Sequence, residues 1–168
     1  MGYEEHHRKA EGIIVRCAVI TLSDTRNESN DTSGKLIRDL LTQSGHTIAS
    51  YQVLRDEPAE LEAAVSTLLE SDQVDAILTN GGTGISKRDQ TISAIEKHLD
   101  IELPGFGELF RMLSWEQIAS GAMLSRAIGG IAKGKLIFAM PGSTQAVELA
   151  MTQLILPELK HLTRELRK

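Results

Sequence analysis

The chain has 168 residues, 41% of them hydrophobic, enough to bury one sizeable core and too few to favour two. Its formal net charge is -5 and its Lys and Arg residues are scattered, which argues against a nucleic-acid partner, since that backbone calls for a basic face. The single cysteine, Cys17, excludes an intrachain disulfide and a multi-cysteine metal site, and no apolar stretch approaches the length of a membrane span.

Residues 1–12 are expected as a flexible N-terminal tail, its His6–His7 pair solvated rather than metal-bound, and residues 13–168 as one domain. With no signal-like apolar core near Met1, a cytoplasmic location is expected. Ile13 to Leu22 is a nearly continuous run rich in Val and Ile, interrupted by Arg16, and predicts a strand buried on both faces, with Cys17 acting as a small hydrophobe. It ends in the polar turn Ser23-Asp24-Thr25. Ser33 then precedes Leu36, Ile37, Leu40 and Leu41, a helical stripe that closes at Ser44-Gly45, where glycine suits a left-handed cap.

Ile48 to Leu54 predicts a second strand, and Pro58 opens a helix carrying Leu61, Ala64, Val65, Leu68 and Leu69. Val74 to Leu78 predicts a third strand. Strand, helix, strand, helix, strand with short joins defines an α/β domain whose parallel sheet is covered on both faces, with ligands at the carboxyl ends of the strands. Thr91 to Leu99 then reads as helical, and Pro104-Gly105-Phe106-Gly107 as a break in the pattern. Ala127 to Ala132 and Lys135 to Met140 bracket Lys133-Gly134 as a hairpin or strand pair. A last helix starts near Ser143, buries Val147, Ala150, Met151, Leu154 and Ile155, and is expected to bend or break before Pro157, with Leu159, Leu162 and Leu166 able to continue it beyond. Met112, Met123, Met140 and Met151 read as core. The lone Trp115 argues against a stacking platform for single-stranded nucleic acid.

The stretch LTNGGTGISKRDQT, Leu78 to Thr91, begins at a predicted strand end. Gly81, Gly82 and Gly84 let backbone amides approach an anion closely, and Thr79, Thr83, Ser86 and Thr91 add hydroxyls. The pattern is neither a P-loop nor a dinucleotide fingerprint, and a Gly-rich turn can equally be a structural device. Lys87 and Arg88 bring positive charge. Asp89 beside a phosphate makes sense with a divalent cation between them, or else it caps the helix from Thr91. Asp56, at the end of another strand, carries the same two readings, and Glu57 suits a helix dipole. Two carboxylates at the ends of parallel strands fit magnesium-assisted phosphoryl or nucleotidyl transfer. Ser143 near a helix start offers amides to an anion, or serves as an ordinary cap.

Thr21-Leu22-Ser23-Asp24-Thr25-Arg26, Asp31-Thr32-Ser33-Gly34, Asn80-Gly81-Gly82-Thr83-Gly84 with Arg88-Asp89, Gly105-Phe106-Gly107-Glu108, Leu124-Ser125-Arg126 and Pro141-Gly142-Ser143 together resemble the MoaB/Mog molybdopterin-binding family of molybdenum cofactor biosynthesis. The stretches 106–116 and 136–143 look most like its B branch, and the match runs from about Ile13 to Leu162.

The resemblance implies a three-layer αβα subunit with a mostly parallel central sheet, assembled as a homotrimer or homohexamer. It implies that molybdopterin is bound as substrate around the glycine loop and adenylylated with ATP and Mg²⁺, releasing pyrophosphate. Other proteins of cofactor biosynthesis are possible partners. By the same resemblance, Asp89 and Asp56 take the catalytic positions and are expected to hold Mg²⁺. Ser23, Asp24, Gly81, Gly82, Thr83, Gly84, Ser86, Glu108, Ser125, Pro141, Gly142 and Ser143 shape the pterin and nucleotide pockets. Asn80 stands where the family usually has Thr, and Ile92 where it usually has Pro, which loosens a helix start. The alternative is a pterin-binding or carrier protein that catalyses nothing.

Overall fold

Burial of both faces of the first apolar run organises the chain. The computed structural model describes residues 2–168, with the side chains of all of these except His6 and His7. Strand β1 (Arg16–Leu22) lies parallel to β2 (Thr47–Leu54) on one side and to β3 (Ala76–Asn80) on the other, and β3 lies parallel to β6 (Lys135–Met140). The antiparallel strands β5 (Ile128–Ala132) and β4 (Ile101–Glu102) complete the sheet, in the order β2-β1-β3-β6-β5-β4.

Alternation along β1 sends Cys17 and Val19 to one face and Ala18, Ile20 and Leu22 to the other. On the first face, α2 (Thr32–Gln43), α5 (Pro104–Ile118), α6 (Thr144–Ala150) and α7 (Leu156–Leu166) contribute Ile37, Leu41, Phe110, Val147 and Leu159 to the core. On the second, α3 (Pro58–Glu70) and α4 (Thr91–Glu96) supply Leu61, Val65 and Ile95. The result is the three-layer αβα architecture with a mostly parallel sheet. Burial pushes the Cys17 thiol up to about 12, so it is an inert core group.

Several boundaries differ from the sequence reading. Residues 3–10, read within a flexible tail, form α1 (Tyr3–Ala10), which packs on α7: the Tyr3 hydroxyl donates to Glu158, and Ala10 is buried. The His6–His7 side chains lie outside the described residues. The first strand starts at Arg16 rather than Ile13, because Arg16 pairs with Asp75 at the base of the sheet while Ile14 is exposed. Helix α2 begins at Thr32 under a cap from Asp31, whose side chain accepts the Gly34 N–H. The third strand runs two residues later than expected, since its pairing with β1 and β6 continues to Asn80.

Pro104-Gly105-Phe106-Gly107, read as a break, opens α5: proline suits the first turn, where its missing N–H is no loss. Phe106 in that turn meets Phe138 edge-on. Nor does the chain break at Pro157. The π-helical segment Met151–Ile155 joins α6 to α7, with the Leu156 N–H bonded to Met151 O, and this wider turn accommodates the ring. Met140 and Met151 are core as expected, but Met112 and Met123 are exposed on α5 and on the 3₁₀ turn Ala119–Leu124.

His46, 4% exposed, accepts the Val15 N–H at Nδ1 at 3.2 Å, and burial, then nearby Lys160, holds its pKa below the usual imidazole value. The unfolded chain therefore takes up this proton first as pH falls. The contribution is complete above the unfolded value of about 6.5 and is lost as pH falls from there toward the folded pKa. The urea midpoint is expected to drop between pH 7.5 and 5.5, and to drop less in His46→Gln.

Candidate functional site

Because β1, β3 and β6 are parallel neighbours, their carboxyl ends open on one edge of the sheet, where the chain leaves each strand in a polar turn. A cleft of about 420 Å³ lies there, and of the candidate residues Ser23, Gly81 to Gly84, Asp89, Pro141 and Gly142 line it. Leu22, Thr25, Arg26 and Leu124 also line it. A groove of about 220 Å³ continues past Leu124 and Pro141 to Ser125 and Ser143. Asp24, Asp56 and Ser86 line neither cavity, Asp56 lying instead behind Gly82 and beside Thr91, and Glu108 is exposed on α5 outside both.

The glycine loop owes its shape to close approach. Gly82 has φ +64°, and a Cβ there would fall 2.2 Å from Thr91 Oγ1 and 2.5 Å from Asp56 Oδ1. A Cβ on Gly84 would fall 2.6 Å from Asp89 Oδ2. The loop folds back through the Thr91 N–H, which donates to Gly82 O at 3.1 Å. Among the described residues, the Gly82 and Thr83 amides donate to no protein acceptor, so both are free for an anion in the cleft.

Neither candidate acid caps a helix. Asp89 Oδ2 accepts the Ser86 N–H at 2.9 Å, closing its own loop, while Gln90 stands at the start of α4. The Ser86 bond outweighs burial, and Gly84 and Arg126 add to it, holding the Asp89 carboxyl below the usual range. Asp56 goes the other way: burial, then the charges of Asp89 and Asp24, raise its pKa, only partly offset by Arg88. Its N–H donates to Asp24 Oδ1 at 3.2 Å, and its carboxylate has no hydrogen-bond donor among the described residues.

Arg88 bridges Asp24 at 2.9 Å and Glu57 at 3.1 Å, tying three loops together at the rim. Among the described residues, no group of three or more His, Cys, Asp or Glu is arranged to hold a metal ion alone. The excess negative charge at Asp56 nevertheless fits a cation that arrives with its own phosphate oxygens, since Mg²⁺ is commonly held by one or two carboxylates plus substrate phosphates.

Other predicted residues do structural work. Ser23 Oγ accepts the Thr25 and Arg26 N–H groups and shapes its own turn. Ser143 caps α6 by accepting the Ala146 N–H at 3.2 Å. Asn80 points into the sheet rather than the cleft: its Nδ2 donates to Thr21 Oγ1 at 2.9 Å, and its buried Oδ1 has no partner. Ile92 packs on the α3 side of the core.

The sequence reading did not assign Arg26, Ser33, Asp31 and Arg126 to the site. Arg26 Nη1 and Ser33 Oγ both donate to Gly142 O, at 3.1 and 2.7 Å, which joins the β1 turn to the β6 turn. Buried Asp31, which also accepts the Tyr51 hydroxyl, lies 3.7 Å from Arg26. Arg126 Nη1 donates to Gly84 O at 2.9 Å. Their one signal in the sequence is that they fall inside the short motifs quoted above; partners 42 to 116 residues away are invisible there.

A sheet of this topology, with a glycine loop and two acids beyond its strand ends, defines a three-layer α/β protein whose cleft lies at the carboxyl ends of its parallel strands. The profile of a family described as a probable molybdopterin binding domain matches residues 18–161. Molybdenum cofactor biosynthesis protein B of Bacillus cereus is 52% identical over 169 aligned residues, covering 100% of this chain and 99% of that protein. A crystal structure of a molybdenum cofactor biosynthesis protein B superposes with a TM-score of 0.90 at 53% identity, covering 92% of this chain and 97% of the other. The tungsten cofactor synthesizing protein MoaB from Pyrococcus furiosus superposes with a TM-score of 0.84 at 34% identity, covering 92% and 98%. The chain belongs to the MoaB/Mog molybdopterin-binding family of molybdenum cofactor biosynthesis. Among the described residues, no helix is long and apolar enough to cross a membrane.

Proposed function

We propose that this chain binds molybdopterin in the cleft and adenylylates it with Mg-ATP, releasing pyrophosphate, as a cytoplasmic step of molybdenum cofactor biosynthesis. The observation that carries the reading is the placing of free Gly82 and Thr83 amides beside two acids, the ionised Asp89 of the same loop and Asp56, whose carboxylate accepts no hydrogen bond among the described residues. The amides hold a phosphate, and the acids hold the cation that comes with ATP. Bound Mg²⁺ supplies charge neutralisation at the α-phosphate; a terminal phosphate oxygen of the pterin attacks that phosphorus as its bond to pyrophosphate breaks. The protein's part is alignment and fixed electrostatics, which cost no reorganisation during reaction.

The deciding experiment is pyrophosphate release on mixing the protein with ATP, Mg²⁺ and freshly released molybdopterin. Release above the rate without pterin supports the transferase. Tight pterin binding without release makes the chain a carrier.

The same reading includes a homotrimer or homohexamer. Met112, Trp115 and Met123, between 56% and 79% exposed, line an open concavity of about 430 Å³ on α5 and the following 3₁₀ turn, an apolar face suited to a second copy. Light scattering is expected to give a mass of three or six chains for the native protein and a smaller one for Trp115→Glu.

A further inference from the structure

The cations around the cleft are not equivalent. Arg88 is paired with Asp24 and Glu57, and Arg26 lies 3.7 Å from buried Asp31. Among the described residues, half-buried Arg126 has no carboxylate within 4.0 Å, and its guanidinium has one hydrogen-bond acceptor, the neutral carbonyl of Gly84. A guanidinium carries five N–H donors in a planar fork, so most of its donors remain open. Partial burial of a charge with no counter-charge in contact is unfavourable, and an incoming anion that touched it would reduce that cost.

Position strengthens the case. Gly84 is held from two sides, by Arg126 at its carbonyl and by Asp89, whose Oδ2 lies 2.6 Å from where a Cβ would be. Arg126 is near enough to Asp89 to favour its ionised form without touching it. Its backbone is fixed by the bond from its N–H to Leu124 O at 2.9 Å and by buried Ala127 beside it. Leu124 and Gly84 line the same cleft as Gly82 and Thr83, whose amides have no protein acceptor among the described residues.

We propose that Arg126 is the phosphate receptor of the cleft: one arm of its fork holds the Gly84 carbonyl, and the others bind a phosphate or pyrophosphate group together with the Gly82 and Thr83 amides. This assignment rests on the phosphate-holding part of the function proposed above and not on adenylyl transfer. It makes Arg126 a binding residue through its free donors and a positioning residue through Gly84. Bidentate recognition sets it apart from lysine, which offers a point charge.

Calorimetric titration of inorganic pyrophosphate, with and without Mg²⁺, into the native protein, Arg126→Lys and Arg126→Gln tests this. The native protein is expected to bind pyrophosphate with an affinity that falls as salt rises. Arg126→Gln is expected to bind at least tenfold more weakly and with a shallower salt dependence, and Arg126→Lys to recover part of the loss. A purely structural role through Gly84 would leave the salt dependence at its native slope. That slope in Arg126→Gln, equal affinity in all three proteins, or no pyrophosphate binding by the native protein overturns the proposal. Should Arg126→Gln fail to fold, Arg126→Lys decides, with native affinity overturning it and a several-fold loss supporting it. Pyrophosphate binding that depends on Arg126, in a protein that releases none from ATP, keeps the receptor and removes the transferase.

Discussion

Asp89→Asn is expected to lower ATP-dependent pyrophosphate release by about 10²- to 10³-fold while molybdopterin affinity stays within a few-fold of native. The asymmetry follows from what each atom does. The Asp89 carboxylate closes the loop by accepting the Ser86 N–H at 2.9 Å, and an amide oxygen can accept the same bond, so the loop keeps its shape. The negative charge is lost, and with it, under the proposed function, one of the two acids that would hold a cation beside the α-phosphate. Asp56 reports the change independently: charge repulsion from Asp89 helps to raise its pKa, so removing that charge lets Asp56 ionise at lower pH. Release at the native rate would show that Asp89 serves only to close the loop.

Gly82→Ala is expected to damage both stability and binding. At φ +64° an L-residue pays about 1–2 kcal/mol for the left-handed backbone alone. The new methyl group would also fall 2.2 Å from Thr91 Oγ1 and 2.5 Å from Asp56 Oδ1, far inside contact distance, so the loop, the α4 start or Asp56 must move. Pyrophosphate affinity should then fall at least tenfold. Gly45→Ala supplies the comparison: Gly45 has φ +81° after α2 with nothing within 4 Å of its missing Cβ, so that variant pays the backbone cost and keeps its affinity. Urea denaturation and pyrophosphate titration on both variants separate strain from collision. Equal affinities in the two would mean that the collision is relieved without disturbing the anion cradle.

The exposed apolar face and the cleft adjoin through one element. Leu124 ends the 3₁₀ turn that carries Met123, and it lines the cleft next to the turn that places Arg126. Association through Met112, Trp115 and Met123 would therefore brace a wall of the binding site.

Local pattern made the frame legible. The two-sided apolar runs at β1 and β3, the stripe of α2 and the Pro58 start of α3 are properties of neighbouring residues, and they predict a parallel sheet covered on both faces. That frame in turn puts Ser23, Asp56, Asp89 and Gly142 at strand ends, where parallel geometry gathers them. Where the signal was ambiguous, tertiary packing decided. Pro104 and Pro157 are helix breakers by local rule, yet one sits in a first turn anchored by Phe106 on Phe138, and the other follows a π turn packed on the core. A charged segment became α1 only because α7 offered it a surface.

By itself the sequence determined the layer order and the glycine loop and singled out Asp56 and Asp89 as candidates, because backbone permissiveness and charge belong to single residues. Only the tertiary structure decided their states. Asp89 is acidified by a bond to its own loop, Asp56 is made harder to ionise by burial and then by acids from other loops, and the Arg126 guanidinium bonds a neutral carbonyl with Asp89 near but not touching it. Coulombic and hydrogen-bond energies depend on distances between atoms that the chain brings together from far apart, and no spacing along the sequence encodes those distances.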